Sequence, residues 1–300
     1  MITTRSSMNQ VWIDLNSPTK EEVDSLLLTQ NISSAIAKDL LAPTPTQYAK
    51  EDGQIIYAVL HIPSFKHVHS AIDSQEVDFI IKADGVITAR YDSIDAIHYF
   101  AKQIEVNEIL NKGKNSNLFF GLMKEIYKSM ADQLAYMEDW MREIEKNIFE
   151  GREKEMVFTI SSAGRNILNF KRMVGPHGNV FEFLEKIGKK KFGDEFELEA
   201  KAIIEEWRRI IKRVDDQMDL VVELRETNNS MLSTKQNEIM KNLAVIGSVL
   251  FPLTIIGQVF GMSIHYFPLI DNPNAFWIIL GIMGTVMTSS LIYAKVRKWL

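Results

Sequence analysis

Residues 242–294 read NLAVIGSVLFPLTIIGQVFGMSIHYFPLIDNPNAFWIILGIMGTVMTSSLIYA, and across these 53 positions the only formal charge is Asp271. Two stretches inside this gap, 243–262 (LAVIGSVLFPLTIIGQVFGM) and 275–294 (AFWIILGIMGTVMTSSLIYA), are 20 residues each. As helices rising 1.5 Å per residue, each spans ~30 Å, the hydrocarbon thickness of a bilayer. Two consecutive uncharged 20-mers fit a membrane hairpin far better than a pair of soluble core helices. The sequence predicts two transmembrane helices.

The flanks set their orientation. Lys235 and Lys241 precede the first span, Lys295, Arg297 and Lys298 follow the second, and the connection 263–274 has no Lys or Arg. The positive-inside rule puts both termini in the cytosol and the short connection outside. Tyr266, Phe267, Phe276 and Trp277 at one interface, and Tyr293 and Trp299 at the other, read as aromatic belts. The first 16 residues lack a basic-then-apolar export signal. The expected location is the plasma (inner) membrane of a prokaryote, with residues 1–241 cytosolic.

Over the whole chain of 300 residues, 34 Lys and Arg face 39 Asp and Glu, and there is no cysteine. That excludes a disulfide scaffold, a thiolate zinc site and a Cys nucleophile. The net charge of −5 argues against a nucleic-acid partner. No G-x-x-x-x-G-K, G-x-S-x-G or H-E-x-x-H pattern occurs, so neither nucleotide-driven transport nor familiar hydrolase chemistry has support.

Residues 1–113 read as a mixed α/β domain. The runs 11–15, 55–62, 77–82 and 86–91 are short, apolar or β-branched, and bounded by turn residues. Asp84-Gly85 signals a two-residue hairpin turn, and Ser17-Pro18-Thr19 ahead of Glu21 and Glu22 signals a helix start. From 114 to 241 the texture changes to long amphipathic helices, 115–150 and 153–191, the second interrupted at Gly175-Pro176-His177-Gly178. Residues 194–246 then run without Gly or Pro into the first span. A continuous helix to Met262 would be ~100 Å long. Its apolar stripe needs its chain neighbours and further copies of the chain as partners. Residues 242–300 form the expected two-helix membrane domain.

On the first span and its approach, Glu226, Ser233, Asn237, Met240, Gly247, Phe251, Thr254 and Gln258 recur at helical spacings of 3, 4 and 7. Such a face is costly against lipid, because buried amides require partners. Around a symmetry axis it becomes a pore lining, polar rings alternating with apolar constrictions at Met240, Leu243 and Phe251. An ordinary packing face, with Gly257-xxx-Gly261 as a helix-contact motif, is the alternative.

Asn237-Glu238-Ile239-Met240-Lys241, followed by Phe251-Pro252-Leu253-Thr254 and Phe260-Gly261-Met262, resembles the first membrane helix of the CorA magnesium and cobalt transporter family. The layout agrees: an α/β N-terminal domain, a long stalk, a second span near the C-terminus and a basic tail ending Lys298-Trp299-Leu300. The resemblance implies a funnel-shaped homopentamer whose first spans line the pore. It implies passive flux of divalent cations, Mg²⁺ first, with zinc, cobalt or nickel as the alternative ions. It implies no enzymatic activity and no cofactor beyond the transported and regulatory ion. Its partners would be further copies of itself, membrane lipid and divalent cations. A non-conducting, membrane-anchored cation sensor or scaffold is the reading from another class.

The chain departs from the family where its signature is most diagnostic. Gly-Met-Asn is replaced by Gly261-Met262-Ser263, and Gln258 stands where a small residue is usual. Mg²⁺ gives up its waters reluctantly and is recognised through them. A Ser hydroxyl reaches less far than an Asn carbonyl, so the Ser263 ring is wider, and five Gln258 amides would either take over recognition or plug the pore. Glu226 would form a carboxylate ring at the inner mouth, or be a solvated stalk residue.

Elsewhere the candidates are weaker. Asp271 alone gathers cations poorly outside, and a lone interfacial His265 is an ordinary hydrogen-bonding residue. His61, His67 and His69 follow a strand with a zinc-compatible spacing, but the sequence fixes no carboxylate beside them. Glu205 and Glu206 loosely resemble the family's acidic regulatory positions between subunits; as adjacent acids on a long helix they are expected to be solvated.

Overall fold

The computed structural model describes residues 2–7, 10–30, 32–65, 72–109, 117–262 and 273–297. Several candidates, namely His67, His69, Ser263, His265, Tyr266, Phe267, Asp271, Lys298, Trp299 and Leu300, lie outside the described residues. The chain divides into two compact units, Met1–Arg225 and Glu226–Leu300.

The first unit is built on a six-stranded sheet. Its strands are β1 (Ile2–Ser7), β2 (Gln10–Asn16), β3 (Tyr48–Asp52), β4 (Ile55–Phe65), β5 (Ile72–Lys82) and β6 (Gly85–Arg90), in the order β1-β2-β6-β5-β4-β3. β2 and β6 run parallel and every other pair is antiparallel. The four expected strands are the four central ones. Sequence reading misses β1 and β3, the two edges. ITTRSS and YAKED are polar and at most half-buried, so no apolar run marks them, and each is held by a single neighbour.

The β5–β6 hairpin forms where expected, but its turn is Ala83-Asp84, one residue earlier than the sequence suggests. Gly85 pairs with Lys82 as the first residue of β6. Its φ is +155°, and a Cβ there would strike the Val11 backbone. The glycine therefore serves the close approach of β2, whose Val11 N–H donates to the Asp84 carbonyl at 2.9 Å.

One face of the sheet is covered by α1 (Lys20–Gln30) and α2 (Ser34–Asp39), with Leu15, Val23, Ile36, Leu40, Tyr57, Val59 and Ile80 in one buried cluster. α1 starts at the predicted signal. Glu22 N–H donates to Thr19 Oγ1 at 3.3 Å while Thr19 N–H donates back to the Glu22 carboxylate at 3.0 Å, a reciprocal capping box. The other face is covered by α3 (Asp95–Ile109) and α4 (Leu118–Phe149), through Trp12 on Phe100 and Phe79 on Phe119, each pair 5.4 Å between ring centroids.

α4 continues as the first of the long helices, followed by α5 (Glu153–Val174), α6 (His177–Phe192) and α7 (Asp194–Gly261). Their buried residues recur every three or four positions: Met130, Leu134, Met137, Met141 and Ile144 on α4, Ile160, Ala163, Ile167 and Phe170 on α5, Ile210, Val214, Gln217, Val221 and Leu224 on α7. The Gln217 amide donates to the Leu134 carbonyl at 2.7 Å and ties α7 to α4. The break between α5 and α6 falls at Gly175-Pro176, as the sequence predicts. The carbonyls it exposes are taken by side chains, Val174 O by the Trp207 indole at 2.9 Å and Met173 O by the Gln47 amide at 2.7 Å.

The second unit holds the C-terminal part of α7 and α8 (Ala275–Val296). Both helices are long and apolar enough to cross a membrane, with mean hydropathy 2.1 and 1.9 over their most apolar windows. Pro252 sits inside α7 without ending it.

Candidate pore face and polar sites of the first unit

Within the apolar stretch of α7, from Leu243 onward, the residues withdrawn from solvent are Val245 and Val249, at 6% and 8% exposure, with Pro252, Leu253, Ile256 and Phe260 half-buried. These fall on one stripe. Ala294 on α8, at 1%, is buried too, and α8 is the only other element among the described residues of this unit. At 100° per residue, Met240, Gly247, Phe251, Thr254 and Gln258 lie within about 40° of the line opposite Val249. All five are exposed, Met240 at 62% and Phe251 at 69%. Leu243, Gly261 and Met262 flank the same face and are exposed too, as are Asn237 and Glu226 further along the helix. A Cβ built on Gly247, Gly257 or Gly261 meets nothing within 4 Å, so in a single copy the glycine stripe is open.

Two hydroxyls in this helix are turned back on their own backbone. Thr254 Oγ1 donates to the Leu250 carbonyl at 2.9 Å, and Ser248 Oγ donates to the Val245 carbonyl at 2.8 Å. With its proton spent, the Thr254 oxygen offers only lone pairs to whatever lies beside it. That suits the outward-pointing protons of a hydrated cation.

The acidic pair of the first unit behaves differently. Glu205 is ion-paired with Arg208, and Glu206 with Arg209 at 2.8 Å, each one turn along its own helix. Among the described residues no group of three His, Asp or Glu is placed to hold a metal ion. His61 is the described member of the histidine cluster, and the carboxylate that the sequence does not fix is present. The β4–β5 register sets His61 opposite Glu76, with Nε2 3.5 Å from the Glu76 carboxylate and 3.0 Å from the Thr44 carbonyl. The neighbouring Glu76 raises the imidazole pKa above its ordinary value.

Two buried titratable residues escaped the sequence reading. Asp78, fully buried on the same strand face as Glu76, has its carboxyl pushed up to about 8, chiefly by burial and then by the Glu76 charge. His177, also fully buried, accepts from Tyr127 OH at Nδ1 (2.7 Å) and donates from Nε2 to the His61 carbonyl (3.0 Å). Burial lowers its pKa to about 4, so it is neutral with its proton on Nε2. The only cue to Asp78 was an acid inside an apolar run, VDFII; His177 had none beyond its place at a helix break.

Residues 8–298 match the family described as CorA-like Mg²⁺ transporter protein. The chain belongs to that family. The curated relatives it resembles include the cobalt/magnesium transport protein CorA of Thermotoga maritima, 24% identical over 82% of this chain and 70% of that one. Another is the cobalt/magnesium transport protein CorA of Methanocaldococcus jannaschii, 22% identical over 97% of this chain and 91% of that one. Among solved structures, the complete CorA magnesium transporter from Methanocaldococcus jannaschii superposes with a TM-score of 0.86 at 19% identity, covering 100% of this chain and 98% of that one. The full-length CmaX protein superposes at 0.73 with 15% identity, over 96% and 88% of the two chains. The CorA-like fold thus extends over both units, the α/β domain with its long helices and the two apolar C-terminal helices.

Proposed function

We propose that the protein is a divalent-cation transporter of the membrane, with Mg²⁺ as its main substrate and zinc, cobalt and nickel as the competing ions. The relatives named for magnesium and cobalt transport support the substrate class. The observation that carries a pore is the exposed face of α7 set opposite the buried Val245–Val249 stripe. In a monomer this face would meet lipid with Gln258 and Thr254 in the hydrocarbon; in a homopentamer it closes around an axis. Met240, Leu243 and Phe251 then form apolar constrictions, and Thr254, Gln258, Gly261, Met262 and Ser263 the polar outer rings. Asn237 and Glu226 line the inner approach. The membrane potential supplies ~4.6 kcal/mol per divalent ion per 100 mV, so flux through such a pore requires no nucleotide. Both termini are cytosolic in this reading, and the membrane is the inner membrane of a prokaryote. The test is ion entry into proteoliposomes loaded with Mg²⁺-sensitive and Zn²⁺-sensitive dyes. Flux of neither ion, from protein shown to be folded and oligomeric, overturns transport and favours a non-conducting sensor, the reading to which Gln258 and Ser263 lend weight.

A further inference from the structure

His61 does more than sit beside Glu76, because its backbone and side chain are tied to different parts of the first unit. Its ring donates from Nε2 to the Thr44 carbonyl. The Glu76 carboxylate facing that ring receives three bonds from Thr44, two from its N–H at 2.9 and 2.7 Å and one from its hydroxyl at 3.0 Å. Three residues on, the Gln47 amide accepts from His61 N–H at 3.0 Å and donates to Met173 O at the end of α5 at 2.7 Å. The His61 carbonyl in turn receives the Nε2 proton of His177, the first residue of α6. The segment joining α2 to β3 is thereby clamped between the β4–β5 edge and the α5–α6 break. Trp207 of α7 closes on the same break through Val174 O.

A cavity of about 470 Å³ opens over the ring, lined by Thr44, His61, Asp73, Glu76, Tyr91 and Asp92 among others, and gives protons access to it. We propose that His61 is a proton-operated latch: charging its ring beside Glu76 draws the 43–47 segment onto the β4–β5 edge and, through Gln47 and His177, stiffens the α5–α6 junction. Neutral His61 has its single proton on Nε2, committed to Thr44 O; protonation adds a second N–H and places a full positive charge against the Glu76 carboxylate. The groups facing the latch are accounted for. Glu76, Asp73 and Asp92 attract the imidazolium. Asp78, one register step further in, holds its proton through neutrality. Tyr91 has its hydroxyl pKa raised and stays neutral. His177 on the opposite side is neutral down to about 4. Because the folded form raises the imidazole pKa, the clamp is fully engaged below the ordinary value of 6.5 and is lost as pH rises through the folded-state value.

The proposal does not depend on the transport reading, and its test does not measure transport. Hydrogen exchange of the full-length protein in detergent, corrected for intrinsic rates, is followed in peptides covering 40–48 and 170–180 from about pH 5.5 to 8.5, a range centred near the histidine transition. The expected result is a several-fold loss of protection on passing upward through the transition, confined to these peptides. His61→Gln keeps an amide donor for Thr44 O and takes no charge, so the step at the histidine transition is expected to vanish from these two peptides. Glu76→Gln removes the partner charge, so its transition is expected to move to lower pH. Flat protection in folded wild type, an unchanged transition in His61→Gln, or an unmoved one in Glu76→Gln each overturns the latch. A His61→Gln variant that fails to fold leaves the wild-type and Glu76→Gln profiles to decide.

Discussion

The two units treat their polar side chains in opposite ways. In the first, polar groups are drawn inside and tied together: His177 to Tyr127 and His61, Gln47 to Met173 and His61, and Asp14 to Thr88 Oγ1 at 2.8 Å and to Arg90. Each buried bond is completed within one copy. In the second, amide and hydroxyl groups lie on the outside of an apolar helix, on the side opposite its buried Val245–Val249 stripe. The first unit closes these networks within one chain, whereas the second leaves polar side chains on an exposed face, and that contrast motivates a search for assembly through the second unit. Each prediction below tests one side of that contrast.

The largest effect concerns the exposed face. Native mass spectrometry in mild detergent should give a homo-oligomer, with a pentamer expected from the family. Monomers alone, active or not, would mean that Gln258 and Thr254 do face lipid. Next come the apolar constrictions. If Met240 and Phe251 close the pore by dewetting, Phe251→Ser and Met240→Ser should raise basal ion entry many-fold in proteoliposomes. Equal or lower entry in well-folded variants would turn that face into a packing surface.

On the finished side, His177→Ala should destabilise the first unit by about 3 kcal/mol, from a lost buried ring plus the stranded Tyr127 hydroxyl and His61 carbonyl. Heating monitored by tryptophan fluorescence reads this, and an unchanged midpoint would show that the junction tolerates an open network. Asp78 supplies a pH test. Its carboxyl, raised from 3.8 to about 8, holds a proton that unfolding releases, so stability is fully present below the unfolded value and is lost as pH rises toward 8. The slope is about 1.4 kcal/mol per pH unit inside that window. Asp78→Asn should flatten this component and leave the protein more stable than wild type at pH 8. A variant with the wild-type slope would locate the proton elsewhere.

How much of this could be read from the sequence differs between the units for a physical reason. The two long apolar helices announce themselves through missing charge, and the exposed polar face of α7 through spacing along a single helix, so both are local. The β1 and β3 edges were invisible, because polar residues such as those of Thr3–Ser7 become strand only by pairing with a distant neighbour. The Glu76 partner of His61 was invisible for the same reason. It lies 15 residues away in sequence and becomes opposite only once the β4–β5 register is set. Glu205 and Glu206 were legible as an exposed acidic pair, and the arginines that neutralise them sit at the i+3 positions any helix reading supplies.

The smallest expected effect lies at the altered outer mouth. A hydrated divalent ion needs acceptors for the protons of its own waters, at a distance set by the ring of side chains around it. Thr254 has its hydroxyl proton committed to Leu250 O and offers lone pairs; the Gln258 amide, one turn outward on the same exposed face, offers a carbonyl at longer reach. Ser263, like Thr254, offers a shorter reach than Gln258. Selectivity should therefore rest more on Gln258 than on Ser263. Gln258→Ala is expected to lower the Mg²⁺ to Zn²⁺ entry ratio several-fold. Ser263→Ala should change it little, and Ser263→Asn should leave the protein functional and shift the ratio toward Mg²⁺. The ratio is taken from paired dye measurements on the same proteoliposomes. If Gln258→Ala instead increases Mg²⁺ entry with the ratio unchanged, the Gln258 ring is an obstruction, and recognition of the ion must lie elsewhere on the face.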